Sequence, residues 1–177
     1  GDVAVGLTLA DIALFIRRGE EEVGAFDLVE QPIATVADWL DRKAEELSLE
    51  LPSTAEIPYD LPSEAAGLTA YRMADLGSEL PALAEWFAIA SDKLEGVKQA
   101  LARFDPGPSP VRCWPHHFDI ATYVALEEGD PETARGVGIG MSPGDEAYDQ
   151  PYFYINPWPH LSAEGLPEPP APGHWHT

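Results

Sequence analysis

Trp114–Asn156 reads WPHHFDIATYVALEEGDPETARGVGIGMSPGDEAYDQPYFYIN, and the fold turns on how this stretch is divided into strands. Three runs, Phe118–Leu126, Ala134–Met141 and Tyr152–Asn156, are each bounded by Gly, Pro, Asp or Glu, which marks them as strands. The loops between them, 127–133 and 142–151, hold 7 and 10 residues, which suits an antiparallel meander. Side chains alternate along a strand, so each run presents two inventories. One side carries Phe118, Ile120, Val124, Leu126, Val137, Ile139, Met141, Phe153 and Ile155, with Thr122 the exception. That is an apolar layer for a helix to cover. The other side carries His117, Asp119, Ala121, Tyr123, Gly136, Gly138, Gly140, Tyr152, Tyr154 and Asn156.

Glycine at period two strips one strand of side chains on that second side. The spacing is GxGxG within a strand and not the GxGxxG of a strand-to-helix phosphate loop, so it gives no support to nucleotide binding. Either Tyr152 and Tyr154 lie across the glycines as cross-strand covers, or the glycines floor a shallow cleft walled by Tyr, His and Asp. A cleft of that mixed lining suits a small ligand. Its candidate residues are His117, Asp119, Tyr123, Gly138, Tyr152, Tyr154 and Asn156, with Trp114 beside them.

All five histidines lie beyond residue 115. His117 with Asp119, and His174 with His176, are i,i+2 pairs that point one way in extended backbone. His117, Asp119, His174 and His176 are therefore the candidate ligands of a divalent metal such as zinc, the one cofactor the sequence suggests. Their spacing matches no specific metal motif, and a hydrogen-bonded turn at His117 with an exposed terminal pair is the plainer reading. Asp145-Glu146 is a second place for acid–base chemistry, although adjacent acids in a Pro-Gly loop are usually solvated. Neither a GxSxG elbow nor a P-loop is present, and no reaction follows from the residues.

The chain has 177 residues and a net charge of −21. That field repels phosphate backbones and anionic lipid, which argues against nucleic-acid and membrane-surface binding. It leaves a small molecule or a protein as partner. Cys113 is the only cysteine, so no intrachain disulfide forms, which suits a reducing cytoplasmic setting; it reads as a small buried hydrophobe. No apolar run approaches the ~20 residues needed to cross a bilayer. A start at Gly1 rather than Met suggests a processed or engineered beginning.

Upstream, the periodicity turns helical. Over Ser78–Phe104, Leu83, Trp86, Phe87, Ala90, Leu94, Val97, Leu101 and Phe104 track one face for about six turns, with Trp86-Phe87 expected in the core. Thr35 and Asp38 form a capping pair before Val36, Trp39, Leu40, Ala44 and Leu47, a helix of about three turns. Leu7–Ile16 reads as a short helix stopped by Gly19, and Ala25–Val29 as a short strand. Leu51–Pro62 reads as an extended link, 63–76 as helix or loop, and the tail from Pro157 as irregular, with six prolines by Pro172.

From about Gln31 onward the chain resembles bacterial domain-of-unknown-function family 5996. The resemblance rests on TVADWLDRKAEELSLEL, PSTAEIPYDLP, the long helix ending ALARF, SPVRCWPHHFDIA, PYFYINPWP and HWHT. Trp114 and Phe118-Asp119 match the family's strand entry, and WPHHFD is its most specific piece. The resemblance implies an α+β fold and brings no activity or catalytic residue. Members look longer at both ends, with an N-terminal β-rich portion that this start is too short to contain. The chain thus reads as a compact variant or a truncated product.

The expectation is one α+β domain over 1–177. It has a helical part over about 1–104, a strand-rich part over about 110–157 and an irregular tail. Its antiparallel sheet, a C-terminal meander of three strands with short N-terminal strands allowed, packs on one long and two or more shorter helices. The polar face binds a small ligand or metal ion. The alternative is a non-catalytic interaction module or homodimer using the aromatic, proline-rich surface of Tyr148, Trp158 and Trp175; carbohydrate stacking comes third.

Overall fold

A computed structural model describes residues 3–49, 70, 72, 77–114, 117–130, 133–162 and 166–176. The expected link at Leu51–Pro62 and most of 63–76 lie outside them. The chain is mixed α and β with antiparallel sheets, and it divides into two compact units, Gly1–Trp86 and Phe87–Thr177.

The first unit opens on a three-stranded meander, β1 (Val3–Thr8), β2 (Ala13–Arg18) and β3 (Glu21–Asp27), in the order β1-β2-β3. This corrects the helix expected at Leu7–Ile16 and the helical part expected from residue 1. It also shows that the start does hold a β-rich portion. Ile12, Phe15 and Ile16 fit a helical stripe as well as a strand, and tertiary pairing decides between them. Leu7 faces Leu14 and Gly6 faces Phe15, whose ring occupies the space a β-carbon at residue 6 would need. Ile12 takes a left-handed φ of 46° in the turn, where Thr8 Oγ1 donates to the Ala13 carbonyl at 2.9 Å. Gly19, with φ 62°, supplies the two-residue turn between Arg18 and Glu21.

Helix α1 (Ile33–Leu47) follows where the sequence placed it, with Trp39 and Ala44 buried. Its start differs, because Pro32 and not Thr35 precedes it and no side chain caps it. Ser48 ends it in the left-handed conformation, and the Leu49 amide donates to the Ala44 carbonyl at 2.8 Å. The Trp39 ring packs on Phe26 of β3 at 5.2 Å, beside side-chain-free Gly24.

The long helix, α2 (Glu79–Leu101), contains the division between the units. In the second unit, Phe87, Ala90 and Leu94 pack against Val111, Ile120, Ile139 and Met141. Trp86 departs from expectation, because it is 39% exposed and does not join the buried core. Successive residues sit ~100° apart on a helix, so the pair cannot both face one sheet. Two helices, not three or more, lie among the described residues.

Five strands complete the second unit: β4 (Gly107–Pro108), β5 (Arg112–Trp114), β6 (Asp119–Ala125), β7 (Gly136–Ser142) and β8 (Tyr152–Trp158). The order is β4-β6-β7-β8, with β5 sharing the edge of β6. The meander β6-β7-β8 is antiparallel, and Ile120 faces Met141 as Thr122 faces Ile139, so the apolar residues share one side, but Phe153 and Ile155 of β8 stay exposed instead of joining the covered layer. Thr122, wholly buried on that side, donates to the Ser109 carbonyl at 2.8 Å. Cys113, expected buried, is exposed on the short strand β5. Among the described residues no helix is long and apolar enough to cross a membrane.

Leu94→Ala removes a side chain that is 1% exposed in the α2–sheet core. The expected cost is ~2–5 kcal/mol by chemical denaturation, against under ~1 kcal/mol for the same change at exposed Ile89.

Candidate functional site

The antiparallel register sets out the polar side in rows. Trp114 faces Asp119; Arg112, Ala121, Gly140 and Tyr154 form the next row; Tyr123, Gly138 and Asn156 the next; then Ala125, Gly136 and Trp158. Every ligand candidate except His117 therefore lies on one side of one sheet, with Ser142 opposite Tyr152 at its end.

Tyr154 reaches over the middle strand. It stands on β8 opposite Gly140, and its hydroxyl donates to Oδ2 of Asp119 on β6. The path exists because residue 140 has no side chain. A β-carbon there would lie 2.5 Å from the phenol oxygen, 2.6 Å from Cζ and 2.8 Å from the Ile120 carbonyl oxygen. Tyr123 covers Gly136 in the same manner. Gly138 stays uncovered, since a β-carbon there would meet only Asn156, at 3.7 and 3.8 Å. Cross-strand covering thus accounts for two of the three glycines, by Tyr154 and Tyr123 rather than by Tyr152.

Asp119 is 8% exposed. Its Oδ2 is taken by Tyr154, while Oδ1 is buried and accepts no hydrogen bond among the described residues. Burial first, and then the hydrogen bond to Asp119, push the Tyr154 phenol far above its ordinary range. Tyr154 is thus a fixed donor and not a base. Partial burial, with the Asp119 charge as a second cause, raises the Cys113 thiol, so it stays protonated and unreactive at neutral pH. Trp114, opposite Asp119, has an indole 40% exposed.

A second cluster forms at Asp145. Tyr152 donates to its Oδ2 at 2.5 Å, and the amides of Ala147 and Tyr148 donate to its Oδ1 at 2.8 and 3.0 Å. The Tyr152 hydroxyl and then the Ala147 amide hold this carboxyl below the usual range, so it works as a turn anchor and not as an acid. The Tyr148 hydroxyl meets His174 Nε2 at 2.6 Å and His176 Nδ1 at 3.0 Å. The structure therefore does not bring the four metal candidates together. His174 and His176 converge on Tyr148, Asp119 holds Tyr154, and His117 is an exposed turn residue before β6. Among the described residues no three His, Cys, Asp or Glu are grouped to hold an ion.

Two features escaped the sequence reading. Trp158 Nε1 is buried with no acceptor among the described residues. A cavity of about 390 Å³ lies toward the other end of the sheet from Asp119, lined by Pro106, Tyr123, Ala125, Glu127, Ala134 and Arg135. Glu128 lines it too, and of its charged residues Glu127 and Arg135 pair with each other, Arg135 Nε donating to Glu127 at 2.9 Å. No signal in composition or spacing announces either feature. No family model, curated protein or solved structure was found to match the chain.

Gly140→Ala drives a methyl into Tyr154 and the Ile120 carbonyl and should cost ~1–3 kcal/mol. Gly138→Ala, with open space above it, should change stability by less than ~0.5 kcal/mol in the same denaturation series. In an ultraviolet titration Tyr154 should ionise well above the ~10 of free tyrosine, and Tyr154→Phe should delete that late step. A phenol raised on folding contributes stability that is complete below its unfolded value and lost as pH rises through its folded value. Alkaline unfolding should therefore be less steep in Tyr154→Phe.

Proposed function

We propose that the chain binds a small molecule on the polar side of the C-terminal sheet, at Asp119, Tyr154 and Trp114. One observation carries this reading: a carboxylate 8% exposed with one oxygen unmet. A buried acceptor left without a donor costs about 1–3 kcal/mol, and more for a charged group. A ligand that supplies the donor recovers that free energy, while the fixed Tyr154 bond keeps the acid in place. Tyr154 is held protonated and Cys113 stays a thiol, so the residues support binding rather than nucleophilic chemistry. Among the described residues no histidine groups with Asp119 as a metal ligand set would need, and an organic ligand is the reading adopted. A single exposed cysteine agrees with a reducing, cytoplasmic setting.

The second reading is an interaction module, and its site differs from the surface first expected. Trp175 Nε1 donates within the tail to the Pro167 carbonyl at 2.7 Å, and Tyr148 is engaged by two histidines. Strand β8 instead ends the sheet order, with Phe153 49% and Ile155 69% exposed. An edge strand carrying such residues invites pairing. Light scattering that finds only monomer in the purified protein counts against pairing of two copies.

The test of the first reading is a thermal-shift panel of small cationic, neutral and anionic compounds on wild type and Asp119→Asn. At least one compound should raise the wild-type midpoint by several degrees and lose that effect in the variant. A panel that shifts both proteins equally sinks the proposal.

A further inference from the structure

Resting on the site just proposed, we infer that its ligand class is an organic cation bearing a primary ammonium or guanidinium group. The site's polar groups point to a donor. Asp119 Oδ1 is an unmet acceptor, and the Tyr154 hydrogen is already committed to Oδ2, so Tyr154 offers the newcomer only oxygen lone pairs. An ammonium or guanidinium is donor-only and so matches such a set. A neutral donor would fill the hydrogen bond and leave the buried charge uncompensated, whereas a cation meets both needs. The exposed indole of Trp114, directly across the strand pair from Asp119, offers an aromatic face of the kind that holds cations. Ala121 and Gly140 make the floor beside Asp119, and Tyr154 already covers Gly140. The net charge of −21 concentrates cations around the whole protein and repels anions.

Among the described residues Arg112, opposite Ala121, is the cation on the same side of β5 as Trp114. It is exposed, and no ion pair joins it to Asp119 among the described residues. An external guanidinium thus takes a place that Arg112 does not fill.

Calorimetry with putrescine and agmatine, against 1,4-butanediol and butyrate as neutral and anionic matches, tests the inference at constant high ionic strength. The amines should bind at one saturable site and quench Trp114 fluorescence. Asp119→Asn should weaken them at least ~10-fold. That variant changes the total charge by one in 21, so diffuse binding to the acidic surface would survive it. Trp114→Leu alters an exposed side chain, keeps the test usable if Asp119→Asn misfolds, and should weaken binding several-fold. Arg112→Gln should leave amine binding unchanged or tighter; amine binding seen only in this variant would mean that Arg112 occupies the acid in solution and would overturn the inference. Butanediol or butyrate binding in an Asp119-dependent way, without the amines, overturns the cation class and leaves the small-ligand reading standing. Equal amine binding to wild type, Asp119→Asn and Trp114→Leu overturns the inference. No binding by any of the four probes does so too, and the broader panel then decides the small-ligand reading on its own.

Discussion

The hydrogen bond from Tyr154 to Asp119 is the constraint around which the C-terminal sheet is arranged. It joins β8 to β6 across the strand between them, and it forms only because Gly140 leaves the crossing clear. A glycine in a strand interior ordinarily weakens it, and here the aromatic ring laid over it restores the lost contact. The same crossing fixes what is left over. With Oδ2 bound, Asp119 keeps one buried oxygen unmet, and that oxygen is the reason to look for a ligand at all. Stability and candidate function thus share one acid.

The opposite side of the sheet shows how a polar group is settled when no ligand is involved. Thr122 sits wholly buried among apolar neighbours, and the Ser109 carbonyl accepts its hydrogen. Ser109 Oγ accepts the Tyr123 amide at 3.0 Å, and its own amide donates to the Tyr123 carbonyl at 2.8 Å. One residue between the short strands β4 and β5 thereby completes the edge of β6. Among the described residues nothing comparable reaches Asp119 Oδ1, and the contrast sets that oxygen apart from an ordinary buried polar atom.

Much of this was legible in the residues, for reasons of periodicity. Period-two alternation in three long runs sorted Ile120, Met141 and Ile139 from Asp119, Gly140 and Tyr154, and pairing kept both sets on their own sides. The 3.6-residue stripe of α2 stands out for its length. Where periodicity is short it fails. Over Leu7–Ile16 eight apolar residues in ten fit both periods, and only the pairing of β2 with β1 and β3 resolves them. Trp86 and Phe87 are both apolar, but the direction of each side chain depends on where the sheet lies. Within the site, Asp119 and Tyr154 were visible as residues on one face. The bond between them was not, because it depends on register, which places Tyr154 opposite Gly140 and within diagonal reach of the acid. The convergence of His174 and His176 on Tyr148 joins positions 26 and 28 residues apart through an irregular tail, which no local rule foresees.

That convergence carries an arithmetic of its own. A phenol has one hydrogen, and two imidazole nitrogens approach the same oxygen, at 2.6 and 3.0 Å. At most one ring can therefore accept from Tyr148, and at least one must present its own N–H, so the tautomers of the two histidines are tied to each other. The tail's anchorage is in that sense a tautomer lock, set by the placement of a single hydrogen atom.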